Sequence, residues 1–267
     1  MDVIRVEVND PRLAAFRDLS DAELLRARGL FVAEGRLVVE RVLADRRYPV
    51  EALLINSASL NALQRSLEAR AEPLTVFESD IAGFEAITGF NIHRGCLALV
   101  RRPREPSWRE ALGDARLAVV LESVTNADNV GGVFRNAAAF GAGAVLLSPT
   151  CCDPLYRKSI RTSMAAVLKV PFGRMTQWPE ALQHLRREGF VVAALSLRQP
   201  ALTIDAFVDQ FRDRKIALLV GTEGAGLTIA AEQASGVRVR IPIAAHVDSL
   251  NLAVATGIAL SRIGAVT

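Results

Sequence analysis

From residue 106 onward, strand-sized apolar runs alternate with helical periodicity, and this constrains the fold more than any other feature of the chain. The runs fall at 117–121, 144–147, 167–170, 191–195, 216–220 and 237–241, and helical patterns lie near 130–140, 155–165, 179–188, 228–234 and 249–263. Strands joined through helices pair in parallel, and a parallel sheet is covered on both faces. The prediction is an α/β domain built on a mostly parallel sheet. In such sheets ligands sit beyond the carboxyl ends of the strands, where loops carry the chemistry.

The stretch RRPREPSWRE, residues 101–110, combines two prolines with dense charge and no apolar period, which marks a boundary near residue 105. Two domains are expected, 1–105 and 106–267. In the first, helical patterns at about 21–46, 57–70 and 78–87 alternate with strand-like runs at 52–55, 74–77 and 96–100, giving a small α/β domain. Residues 1–105 carry 15 basic and 16 acidic side chains against 17 and 13 in 106–267, so the net +3 of the chain divides into −1 and +4 and the excess lies in the second part. Arginine supplies 29 of the 32 basic residues; its planar fork suits phosphate, but charge alone does not establish nucleic-acid binding. No apolar run approaches the roughly 18 residues of a membrane span, the first ten residues lack a signal-peptide pattern, and the odd set Cys96, Cys151 and Cys152 has no CxxC spacing. A cytoplasmic protein is the expectation.

Three strand ends stand out. In LESVTNADNVGGVFRNAAAFGA, Asn126, Asn129 and Gly131 crowd a helix N-terminus whose free amides favour an anionic group, and Arg135 follows on the second turn. An Asn-capped helix with a surface arginine is the plainer alternative. In LLVGTEGAGL, Gly221, Gly224 and Gly226 permit positive φ and close approach of a ligand to the backbone, or simply a tight turn with Glu223 solvated. In RIPIAAHVDSLNLAVATGIALSRIG, Asp248 or Ser249 is a natural N-cap, and Asn251 falls in the first turn of a very apolar helix, where a buried carboxamide must find partners.

In this order the three segments resemble the three motifs of the SpoU (TrmH-like) family of SPOUT methyltransferases. Asn129-x-Gly131-x-x-x-Arg135 matches the first, Gly221-Thr222-Glu223-Gly224-x-Gly226 the second, and Ile241-Pro242-Ile243 through Ser249-Leu250-Asn251 the third. The resemblance covers about 115–265. Residues 24–42 and 93–102 more weakly resemble an N-terminal substrate-binding domain with a fold like ribosomal protein L30e. Two departures stand inside the motifs: Leu252 and Ala253 replace Val-Ser, and Asn136 stands where threonine is common.

The resemblance implies a trefoil knot in the C-terminal domain and S-adenosylmethionine held there by Gly221, Ile241 and Leu250. It implies a homodimer through the last helix, whose apolar residues run nearly all round. It implies methylation of a ribose 2′-hydroxyl in structured RNA, with 23S rRNA preferred and tRNA the alternative, and makes 1–105 an RNA-positioning module. A guanidinium does not readily deprotonate, so Arg135 is assigned to gripping the phosphate and stabilising the developing alkoxide, and Glu223 to accepting the proton. Asn129, Ser249 and Asn251 orient the hydroxyl and donor. No metal is implied, since His93, His184 and His246 are scattered singly. His93-Arg94 and the run 157–161 are candidate RNA-backbone contacts, or solvated charge. The rivals are a ribosome-associated RNA-binding protein of the same fold without turnover, and a dinucleotide-dependent oxidoreductase, which the absence of GxGxxG disfavours.

Overall fold

The computed structural model describes residues 2–17, 24–70, 72–80, 83–84, 87, 95–244 and 246–264. The chain forms two compact units, Met1–Arg104 with Leu155–Ala165, and Glu105–Pro154 with Ala166–Thr267.

The first unit is a mixed five-stranded sheet of order β1-β4-β3-β5-β2, comprising β1 (Asp2–Arg5), β2 (Leu30–Glu34), β3 (Val50–Ile55), β4 (Thr75–Glu78) and β5 (Cys96–Arg101). β1, β4 and β3 pair in parallel, and β5 runs antiparallel to both β3 and β2. Helices α1 (Arg36–Ala44) and α2 (Ser57–Glu68) pack on it. The expected helix over 21–46 is thus interrupted by a strand. Gly29 and Gly35 take positive φ of 61° and 88°, and these two turns bracket β2. Much of the expected helix 78–87 lies outside the described residues, as do His93 and Arg94.

The second unit is a seven-stranded sheet of order β10-β12-β9-β11-β6-β7-β8, parallel throughout. In chain order it comprises α3 (Trp108–Leu112), β6 (Leu117–Glu122), α4 (Ala127–Ala139), β7 (Ala144–Leu147), β8 (Phe172–Arg174), α5 (Ala181–Arg187), β9 (Phe190–Leu195), β10 (Leu202–Thr203), α6 (Ile204–Phe211), β11 (Lys215–Gly221), α7 (Ile229–Ser235), β12 (Gly236–Arg240) and α8 (Leu252–Ile263). β6 is buried along its whole length and β11 over 216–220, as strands covered on both faces must be. The core gathers Trp108, Val120, Leu146, Leu182, Phe190 and Leu219.

The run 167–170 forms no strand. Val167 and Leu168 are buried in a 3-10 turn, Ala166–Leu168, and the ladder begins after Pro171 as β8, because a short apolar run fits a buried turn as well as a strand. β10 and α6 escaped the periodicity reading. No described helix is long and apolar enough to cross a membrane.

Candidate active site

The site begins with two helix starts. Asn126 caps α4 by accepting from the Asp128 N–H at 2.9 Å. α8 is capped by Asn251, whose Oδ1 accepts from the N–H groups of Ala253 and Val254 at 3.0 and 3.2 Å; the caps expected at Asp248 and Ser249 are not used. α4 and α8 approach closely at Gly132, where an added Cβ would stand 2.6 Å from the Ala253 Cβ. Asn136 seals this contact by donating to the Ala253 carbonyl at 2.6 Å.

That packing brings Asn251 to Asn129. The Asn251 Nδ2 donates to Asn129 Oδ1 at 3.1 Å and to Glu223 Oε1 at 2.9 Å, so one carboxamide joins all three segments singled out in the sequence. Asn251 is exposed, not buried as its apolar helix suggested, and Asn129 is the buried member. Glu223 is exposed, and its Oε2 is unengaged among the described residues.

Beyond the carboxyl ends of β9, β11 and β12 lies a cavity of about 530 Å³, within the usual range of about 300–1,000 Å³ for small-molecule pockets. Gly221, Ile241 and Leu250 line it, with Glu223, Ser249 and Asn251. Gly221 is required by the loop's own backbone: an added Cβ would meet the Gly226 carbonyl carbon at 2.3 Å and the Leu227 N at 2.5 Å. The Cβ side of Gly221 is filled by the chain folding back on itself, with Gly226 N–H bonded to the Thr222 carbonyl at 3.0 Å.

Sequence reasoning missed Glu122. Buried at the end of β6, it accepts from the Thr228 N–H, the Thr228 hydroxyl and the Trp178 Nε1, each at 2.8 Å. Thr228 in turn caps α7, so Glu122 fixes the far end of the 221–228 loop. The signal was a carboxylate closing an otherwise apolar strand.

Glu232 was missed as well. Its Oε1 accepts from the Ser196 hydroxyl at 2.6 Å and lies 3.2 Å from the Arg198 Nη1, and its Oε2 accepts from the Arg238 Nε at 3.0 Å. Burial alone would raise its pKa, but the bonds from Ser196, Arg198 and Arg238 outweigh burial and hold the carboxyl below its ordinary value. Arg240, on the same cavity wall, has a buried Nε with no hydrogen-bond partner among the described residues. A concave volume, loops exposing backbone groups and an unsatisfied guanidinium N–H on the wall together fit a nucleoside-type ligand bearing an anionic group.

Arg135 is the site residue that this arrangement does not gather. It lies exposed on α4, outside the cavity lining and without an ion-pair or hydrogen-bond partner among the described residues. In the first unit, Arg157 and Arg161 lie 3.7 and 3.9 Å from Glu34, so the basic run carries its own acid. His184 meets the Arg109 guanidinium at 3.2 Å, and His246 is exposed.

Comparisons with known proteins converge on the same segment. The SpoU rRNA Methylase family model matches residues 116–261. An uncharacterized tRNA/rRNA methyltransferase of Mycobacterium bovis is 40% identical over 255 residues, covering 94% of this chain and 88% of the relative. A 23S rRNA (guanosine-2′-O-)-methyltransferase RlmB of Burkholderia sp is 31% identical over 186 residues, covering 68% and 74%. The crystal structure of an AdoMet-bound rRNA methyltransferase from Sinorhizobium meliloti superposes with a TM-score of 0.81 at 24% identity, covering 98% of this chain and 97% of that one.

Proposed function

This chain belongs to the SpoU rRNA Methylase family, and from that premise we propose that it methylates a ribose 2′-hydroxyl of 23S rRNA with S-adenosylmethionine as donor. The observation that carries the reading is the Asn251 carboxamide, which ties Asn129 and Glu223 together at the mouth of a cavity lined by Gly221, Ile241 and Leu250. The donor supplies an electrophilic methyl on a sulfonium. Everything else falls to the chain: Gly221, Ile241 and Leu250 hold the nucleoside with backbone groups, and Asn129, Ser249 and Asn251 orient the reacting groups. Glu223, fixed through Oε1 and open at Oε2, accepts the proton of the attacking hydroxyl, and Arg135 grips the adjoining phosphate and stabilises the alkoxide.

Arg135 does not line its own cavity, and a homodimer that completes the site across its interface gives it one to act on. Val254 and Ile258, one turn apart on α8, are 52% and 36% exposed and form an apolar face of the kind such an interface covers. Light scattering at micromolar concentration should give twice the chain mass. The knot belongs to this reading too: the chain leaves β12, three places from β6 in the sheet, and returns to lay α8 on α4. The first unit positions the RNA.

Two measurements test the function. S-adenosylhomocysteine should bind in calorimetry, and incubation of 23S rRNA transcript with labelled donor should place the methyl on a single ribose. A 2′-deoxy substitution at that nucleotide should abolish transfer. Label on a base, or transfer that survives the deoxy substitution, would overturn the assignment.

A further inference from the structure

Around Glu232 and the adjoining cavity wall the charges do not balance. Of the three arginines here, Arg240 makes no bond to the Glu232 carboxylate, which pairs with the other two, Arg198 and Arg238. Its oxygens are taken by Ser196, Arg198 and Arg238, and the Arg198 Nη1 also donates to the Leu227 carbonyl at 3.0 Å. Arg240 is left half-buried on the lining, with a desolvated Nε and no partner among the described residues. A desolvated cation without a counter-charge is costly, and the cost is recovered when an anion arrives.

We propose that Arg240 is the counter-charge for the α-carboxylate of the donor's methionine moiety, and that Arg198, held in place by Glu232, flanks it. This rests on the donor reading above. The carboxylate is the one anionic group of S-adenosylmethionine, and a guanidinium meets it with a bidentate fork. The location favours the donor over an RNA phosphate, because Arg240 adjoins Ile241 and lines the same cavity as Gly221 and Leu250. The Glu232 network serves to hold Arg198 on the same lining as Arg240.

The test compares two ligands by calorimetry: S-adenosylhomocysteine, and 5′-methylthioadenosine, which keeps the nucleoside and thioether but lacks the amino-acid carboxylate. The wild-type protein should bind S-adenosylhomocysteine more tightly by about ten- to a hundredfold, the scale of a charge-assisted hydrogen bond. Arg240→Gln should remove most of that preference while leaving 5′-methylthioadenosine affinity unchanged, and Arg240→Lys should keep part of it. Equal wild-type affinities overturn the inference without any variant. So does an Arg240→Gln protein that weakens both ligands alike while Arg240→Lys does the same, since that pattern belongs to a structural arginine. If the wild-type protein binds neither ligand, the donor reading itself fails, a result distinct from the other two.

Discussion

Glu122 and Glu223 both hold the 221–228 loop, and they do so in opposite ways. Glu122 is buried and spends both oxygens on three donors, two from Thr228 and one from Trp178. Glu223 is exposed and spends one oxygen on Asn251. A buried carboxylate whose two oxygens hold three donors serves to hold structure, because any change of protonation or position leaves a buried donor unpaired. An exposed carboxylate fixed by a single bond is oriented and still able to take a proton. Residue type is identical in the two regions; exposure and remaining hydrogen-bonding capacity separate the buried anchor from the carboxylate proposed for chemistry.

The sharpest way to break this comparison is Glu223→Gln. The amide keeps the shape and a bond to Asn251 but cannot accept the proton, so single-turnover methylation should fall by about 10² to 10⁴ with an unchanged melting temperature. A variant that methylates at the normal rate would remove Glu223 from the chemistry and collapse the distinction.

Arg135→Ala extends the comparison to a residue that the fold leaves unpartnered. Turnover should drop on the order of a hundredfold, the usual scale for one preorganised electrostatic donor, with stability within about 0.5 kcal/mol and donor affinity unchanged. Arg135→Lys should recover little, since a point charge does not reproduce the fork. A fully active Arg135→Ala protein would leave it as a surface arginine.

Glu122→Gln should give the smallest loss of turnover and the clearest loss of stability. All three partners are donors, so the amide NH₂ must face one of them, and a urea midpoint should report a loss of about 1–3 kcal/mol. Wild-type stability in this variant would mean that the anchor is not required.

Much of the site was legible in the chain because its residues cluster in three short segments with a fixed local grammar. Glycines at 221, 224 and 226 announce a tight strand-to-helix turn, and Gly224 and Gly226 do take positive φ of 81° and 67°. The elements that were misread share one cause. LFVAE at 30–34 continues a helical pattern, and 167–170 carries three large apolar residues around Lys169; in both places Gly29, Gly35 or Pro171 decided, through backbone conformation rather than hydrophobicity.

The sequence by itself determined the alternation that makes the second unit a parallel sheet, the order of the three loops, and the residues 129, 221, 223, 241 and 249–251 that those loops carry. Tertiary structure alone decided the pairings: Asn251 with Asn129 across 122 positions, Glu122 with Thr228 across 106, and the Arg240 Nε left without a partner among the described residues. The physical reason lies in the sheet. Periodicity and turn chemistry act over a few residues, whereas β6 beside β11 and β9 beside β12 set which loop ends meet, and a hydrogen bond forms only between groups that the strand order has already brought together.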